Sequence, residues 1–246
     1  MKVFIYTLGC RVNQSESMMI ADGLERLGAE VAKEPGGADL MVVNSCALTE
    51  FAEAKTRRAI RDFKKKNPNS KICATGCYAQ TNAEALRECG VGLIVSNARK
   101  KDLPRLALDF LKGGNLGGLQ TLSSHCAEAK MLSAIGYDFG DLGFAGDAPV
   151  SDRVNLKIQD GCDNACAYCI IPRARGLPRS RSAKEIVADA KNLASRGVAE
   201  IVLTGINLSK FGASLADLID GLNEIKGLKR IGLGSIEPPV KELEKL

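Results

Sequence analysis

Histidine is almost missing from this sequence: His125 is the only one in 246 residues, and it sits in a glycine-containing stretch. A mechanism built on histidine as general base, or as the middle member of a nucleophilic triad, has little to work with. Long hydrophobic runs are missing too. No apolar stretch approaches the roughly 20 residues that cross a bilayer, and the run over residues 3–8 is too short for a signal-peptide core. We therefore expect a cytoplasmic protein with no membrane partner. Charge of one sign is also scarce. A net charge of +5 and a pI near 8.7 are compatible with a polyanionic partner but too modest to establish one.

Cysteine, by contrast, is plentiful. Nine cysteines, an odd number without an export signal, argue for thiolate ligands in a reducing compartment rather than a disulfide framework. Cys162, Cys166 and Cys169 read C-x-x-x-C-x-x-C within GCDNACAYC. Residues 154–159 before them alternate apolar and polar like a strand, so the cysteines fall on the loop at its carboxyl end. Three thiolates on one short loop can hold three irons of a cubane [4Fe-4S] cluster, leaving the fourth iron free for a small molecule. Zinc is the competing reading. It generally takes four ligands, and neither His nor another Cys lies nearby to complete a tetrahedron, although a distant fourth group or a chance triplet stays open.

The length exceeds the usual single domain of about 100–200 residues, which favours two domains. Residues 2–7, 40–44, 71–75 and 92–96 read as buried strands. They alternate with helices expected over 15–27, 49–66, from about 82, and over 103–112. The pattern predicts an α/β fold, an open parallel sheet covered by helices in the flavodoxin manner. Three of these strands end alike, with Cys10, Cys46 and Cys77 just past the carboxyl end. In an open parallel sheet those ends share one edge, so cysteines more than 30 residues apart in sequence can converge on one three-thiolate site. Burial in the core is the plainer fate of such a free cysteine. Cys73, Cys89 and Cys126 have no comparable context and read as structural.

The helix over 49–66 carries Lys55, Arg57, Arg58, Arg61, Lys64, Lys65 and Lys66 against Glu50, Glu53 and Asp62. It reads equally as a solvated face and as a phosphate-tracking patch. Residues 113–152 hold eight glycines and no long periodic run, and read as an inter-domain connection. From residue 154 the βα pattern resumes. Ser182 with Glu185 forms a capping box, Ile186, Ala190 and Leu193 form a stripe, and Gly197 closes the helix. A strand over 200–203, a helix from about 214, a strand over 230–233 and a helix start at Pro238-Pro239 follow.

The segments TLGCRVNQSES (7–17), VNSCALTE (43–50), ATGCYAQ (74–80), LKIQDGCDNACAYCIIPRARG (156–176), EIVLTGINL (200–208) and SIEPP (235–239) closely resemble the methylthiotransferases of the radical S-adenosylmethionine (SAM) superfamily. The resemblance implies a flavodoxin-like N-terminal domain over 1–112, with a [4Fe-4S] cluster on Cys10, Cys46 and Cys77. It further implies a connector over 113–152 and the first half of a radical SAM (β/α)6 partial barrel over 153–246. There Cys162, Cys166 and Cys169 would hold a second cluster that binds SAM. Gly205 matches the position whose backbone meets the SAM amino group, Tyr168 would touch its adenine, and Glu237 is a further polar contact. Arg11-Val12-Asn13-Gln14 and Gln159-Asp160 look like the branch that methylthiolates threonylcarbamoyladenosine beside the tRNA anticodon. The isopentenyladenosine and ribosomal-protein branches are the alternatives, and a non-catalytic Fe-S or zinc module that binds RNA or protein is the alternative of another class.

The implied chemistry begins with one electron delivered to the barrel cluster. SAM is then cleaved to methionine and a 5′-deoxyadenosyl radical, which takes hydrogen from C2 of adenine. No side-chain acid or base performs that step, so no catalytic residue is assigned. The partners implied are tRNA, an electron-donor protein and a sulfur source. Arg173 departs from a usual tyrosine and Gly234 from a usual serine. The resemblance also leads us to expect that the latter half of the barrel and an RNA-binding β-domain lie outside this sequence, so that the 246 residues alone do not complete the reaction.

Overall fold

A computed structural model describes residues 1–114 and 151–237. The first five strands are β1 (Lys2–Thr7), β2 (Glu30–Ala32), β3 (Leu40–Ser45), β4 (Lys71–Gly76) and β5 (Leu93–Ile94). They form one parallel sheet in the order β2-β1-β3-β4-β5, the flavodoxin order. The central strand β3 is buried along its whole length, as a parallel strand covered on both faces must be. Alternate residues feed two cores. Val42 and Cys73 point to the face covered by α1 (Arg11–Arg26) and α5 (Leu103–Leu111), through Ile20, Leu24, Leu103 and Leu106. Met41, Val43, Ile72 and Ala74 point to the other face. There they meet α2 (Glu50–Lys66), α3 (Cys77–Thr81) and α4 (Ala83–Glu88) through Ile60, Phe63, Tyr78 and Leu86.

A second parallel sheet has the order β10-β9-β6, with β6 (Arg153–Lys157), β9 (Glu200–Thr204) and β10 (Arg230–Leu233). Helices α7 (Ala183–Ser195) and α8 (Leu215–Asn223) cover it through Ile186, Ala190, Leu193, Leu218 and Leu222. The expected capping box is present: the Ser182 hydroxyl accepts from Glu185 N while Glu185 accepts from Ser182 N. Helix α1 belongs to both cores. Ile20 and Leu24 enter the first sheet's core while Met19 enters the second.

Several boundaries differ from the sequence reading. Helix α1 starts at Arg11 instead of residue 15, because Asn13, Ser15 and Glu16 are polar residues that are buried rather than left as loop. The three-residue edge strand β2 is too short to carry a period. Residues 154–159 are not one strand, since the chain changes partners at Ile158, whose N–H bonds Thr204 O and whose carbonyl accepts from Arg181 N. Gln159–Asp160 (β7) then pairs antiparallel with Arg179–Ser180 (β8), and between them lies the short helix α6 (Ile171–Arg175). His125, Cys126, the bulk of the 113–152 connection and the Pro238-Pro239 start lie outside the described residues.

Candidate functional site

The register of the first sheet decides where its cysteines go. Thr7 stands beside Asn44 and Asn44 beside Thr75, so β1, β3 and β4 end abreast. Adjacent strands lie about 4.8 Å apart, which brings the loops after them within side-chain reach of one another. Strand order reverses between β1 and β3, the switch point where open parallel sheets leave a crevice. Cys10 caps α1 half-buried, while Cys46 and Cys77 are buried.

Two glycines permit the approach. Gly9 has φ +112°, and a Cβ there would lie 3.0 Å from the Cβ of Cys46 and 3.1 Å from its Sγ. Gly76 has φ +96°, and a Cβ there would lie 2.3 Å from Ser45 O. Gly76→Ala is expected to cost about 2 kcal/mol or more, by strain at positive φ plus the clash, and to displace Cys77. Chemical denaturation measures the first effect, and an unchanged midpoint would contradict it.

Hydrogen bonds tie the three loops together. Asn13 Nδ2 donates to Leu8 O (2.7 Å) and Ser45 O (3.0 Å), joining the Cys10 and Cys46 loops. Ser45 Oγ donates to Thr75 O (2.6 Å) and accepts from Ala79 N (3.0 Å), joining the Cys46 and Cys77 loops. Burial pushes the thiols of Cys46 and Cys77 up, and mutual proximity to the neighbouring cysteines adds to it; the Arg175 guanidinium opposes this at both. Such thiols ionise when a cation or metal compensates the burial. Cys73 is a different case. It is packed in the core, and burial alone pushes its thiol up to about 12.

In the second loop, Cys162 is buried, Cys169 half-buried and Cys166 exposed. Gly161 has φ +73°, and a Cβ there would meet Leu177 O at 2.1 Å, so only glycine lets the loop leave β7 this way. Cys162 N bonds Gly176 O (3.0 Å) and Cys169 N bonds Cys166 O (3.1 Å), which folds the loop back on itself. Glu237 accepts from Asn164 Nδ2 of this loop (2.9 Å) and from Asn207 Nδ2 beside β9 (2.6 Å), and those two bonds hold its carboxyl below the usual range. A Cβ on Gly205 would lie 2.9 Å from both Gln159 Oε1 and Leu208 Cδ2, so a side chain there would have to displace both. Gln159 in turn bonds Asn207 N through Oε1 and the carbonyls of Asp160 and Gly161 through Nε2. Glu237, Gly205 and the cysteine loop thus surround one corner of the second sheet. Tyr168 stands apart from that framework, 94% exposed.

Among the described residues, no three His, Cys, Asp or Glu side chains close on a point tightly enough to hold a single ion. The donor set still suits a cluster. Its irons are spread over a larger body than one ion, three thiols adjoin at the first site, and Arg175 and Lys100 place positive charge beside Cys77 for an anionic thiolate group.

Sequence reasoning missed what lies between the two sheets. Glu16 of α1 accepts from Lys100 (2.6 Å), Lys157 (2.6 Å) and Arg175 (3.0 Å), and Asp160 accepts from Lys157 (2.7 Å), Arg175 (2.9 Å) and Arg179 (2.9 Å). Glu16, Lys100, Lys157, Asp160 and Arg175 are all buried. Burial opposes ionisation of Glu16, but Arg175, Lys100 and Lys157 outweigh it and hold its carboxyl well below the ordinary range. Lys157 keeps the apolar–polar alternation of residues 154–159, so the aspartate beside the cysteine loop was the one available signal.

Comparison with known proteins follows this division. Residues 2–95 match the family model described as "Uncharacterized protein family UPF0004", and residues 156–233 match that of the radical SAM superfamily. The Threonylcarbamoyladenosine tRNA methylthiotransferase MtaB of Aquifex aeolicus is 34% identical over 100% of this chain and 58% of its own length. That of Bacillus subtilis is 36% identical over 96% of this chain and 51% of its own length. The tRNA-2-methylthio-N(6)-dimethylallyladenosine synthase of Rhodopirellula baltica is 32% identical over 93% of this chain and 50% of its own length. The chain spans about half the length of the curated relatives it matches. Among solved structures, the radical S-adenosylmethionine methyltransferase TsrM of Kitasatospora setae has a TM-score of 0.56 at 15% identity. That likeness covers 89% of this chain and 51% of TsrM, and it shows the fold alone. With a UPF0004 domain ahead of a radical SAM fold, the chain belongs to the radical SAM methylthiotransferase family and is similar along its length to the MtaB-type members.

Proposed function

We propose that this chain carries the two cluster sites of an enzyme that methylthiolates threonylcarbamoyladenosine in tRNA, Cys10, Cys46 and Cys77 holding one [4Fe-4S] cluster and Cys162, Cys166 and Cys169 the other. The observation that carries the reading is the level ending of β1, β3 and β4, which delivers three distant cysteines to one crevice. When bound, the second cluster and SAM supply one-electron chemistry able to open an aromatic C–H bond.

The chain's own residues bind and position. Gly205 offers its backbone beside the cysteine loop, where Gln159 and Leu208 close in on it, and Glu237 offers a carboxylate there, held by Asn164 and Asn207. Tyr168 presents a solvent-facing ring that a flat adenine can cover. On α2, Lys55, Arg58, Arg61, Lys65 and Lys66 are exposed and are the candidates for tRNA phosphates, whereas Arg57 is engaged with the Tyr78 hydroxyl and ring. An electron-donor protein and a sulfur source complete the scheme. No described helix is long and apolar enough to cross a membrane.

The test is mass spectrometry of tRNA nucleosides from a strain lacking the gene. Loss of 2-methylthio-threonylcarbamoyladenosine is expected, restored by the full-length gene and not by one with Cys10→Ala. Loss of the methylthiolated isopentenyl nucleoside would move the protein to the sister branch. An unchanged nucleoside pool in a protein that still binds iron would favour a non-catalytic module.

A further inference from the structure

We propose that Arg175, which stands on the second half of the chain, is a positioning residue for the cluster of the first half: its fixed positive charge and buried Nε–H complete the Cys10, Cys46 and Cys77 site from across the contact between the sheets. This rests on reading those three cysteines as cluster ligands.

The Arg175 side chain is 0% exposed. One terminal nitrogen donates to Glu16 and Asp160, and the other to Asn13 and Glu16. Asn13 is also the residue that bridges the Cys10 and Cys46 loops. Helix α6, which ends in Arg175, packs on α3, which begins with Cys77, and Asn97 Nδ2 fixes the contact by donating to Ala174 O (2.7 Å). Arg175 is therefore anchored to all three cysteine loops.

Its Nε–H is buried and has no hydrogen-bond partner among the described residues. Buried donors are nearly always paired, and leaving one unmet on a charged group is costly. The thiols of Cys77 and Cys10 are both close enough to favour the arginine's charge, so Arg175 places positive charge beside the first cysteine site. Hydrogen bonds to cluster sulfurs and nearby positive charge both raise a cluster's reduction potential. Glu16, on the same arginine, has the opposite electrostatic sign.

The experiment uses the full-length, cluster-loaded protein with Cys162, Cys166 and Cys169 replaced by Ala, so that only the first cluster is read. Potentiometric titration followed by electron paramagnetic resonance gives its midpoint potential in four backgrounds: parent, Arg175→Gln, Arg175→Lys and Glu16→Gln. Arg175→Gln is expected to lower the potential, Arg175→Lys to lower it less, and Glu16→Gln to raise it. Glu16→Gln loosens the same contact, so a shift of both Gln variants in one direction would mean general loosening and would overturn the proposal. So would an Arg175→Gln potential equal to the parent's. If Arg175→Gln does not fold, the comparison of Arg175→Lys with the parent decides, equality again counting against it. A first site that binds no cluster even in the parent removes the underlying reading and this inference with it, whereas a loaded site with an unmoved potential removes only the inference.

Discussion

Replacing Cys162, Cys166 and Cys169 together by alanine is expected to remove about half of the iron from anaerobically reconstituted protein, and replacing Cys10, Cys46 and Cys77 to remove the other half. The motive is the separation of the two triplets, one past the level ends of β1, β3 and β4 and the other on the loop that leaves β7 beyond the end of β6. Each triplet can then load without the other. The two halves should differ in lability. Cys46 and Cys77 are buried behind the Asn13 and Ser45 hydrogen bonds, whereas Cys166 is exposed on its loop. A chelator should therefore strip the second cluster first. Iron unchanged by either triple replacement, or zinc recovered in its place, would contradict the assignment.

The central strands of the first sheet were legible because they are buried on both faces and so read as short unbroken apolar runs over residues 40–43 and 72–74. Their level ends were legible too, from three cysteines set just past three strands. Helix α1 shows why the rest was not. A helix covering one sheet presents one apolar stripe, but α1 is clasped between two sheets and buries Asn13, Ser15, Glu16 and Ser17 as well as Ile20 and Leu24. Its first turn therefore looks like a polar loop. The same holds for Arg175 and Lys100, which in sequence are two more basic residues among 34 Lys and Arg. Only the tertiary contact, in which Asn155 Nδ2 donates to Gln14 and Lys157 N donates to Ser15 Oγ, turns them from surface charges into buried ones.

That contact makes Glu16→Ala the substitution with the largest expected cost in stability, about 3–5 kcal/mol. The loss comes less from the ion pairs themselves than from leaving Lys100, Lys157 and Arg175 buried without the carboxylate they share. Asp62→Ala is the comparison. It removes an exposed partner of Arg58 at 3.6 Å and should change stability by no more than about 0.5 kcal/mol. Denaturant midpoints of the two variants measure the contrast, and a Glu16→Ala loss below about 1 kcal/mol would contradict it. The pH dependence has a definite sign. Burial opposes ionisation of Glu16, but the three cations outweigh it, so its folded pKa lies well below the unfolded value of about 4.3. A carboxylate depressed in this way contributes its full stability above the unfolded pKa and loses it as pH falls through the folded one. The difference between parent and Glu16→Ala should hold flat from neutral pH to about 5 and shrink only below about 4. A difference that already fades between pH 7 and 6 would mean that Glu16 is protonated there, and that the cations around it do not hold it as the geometry requires.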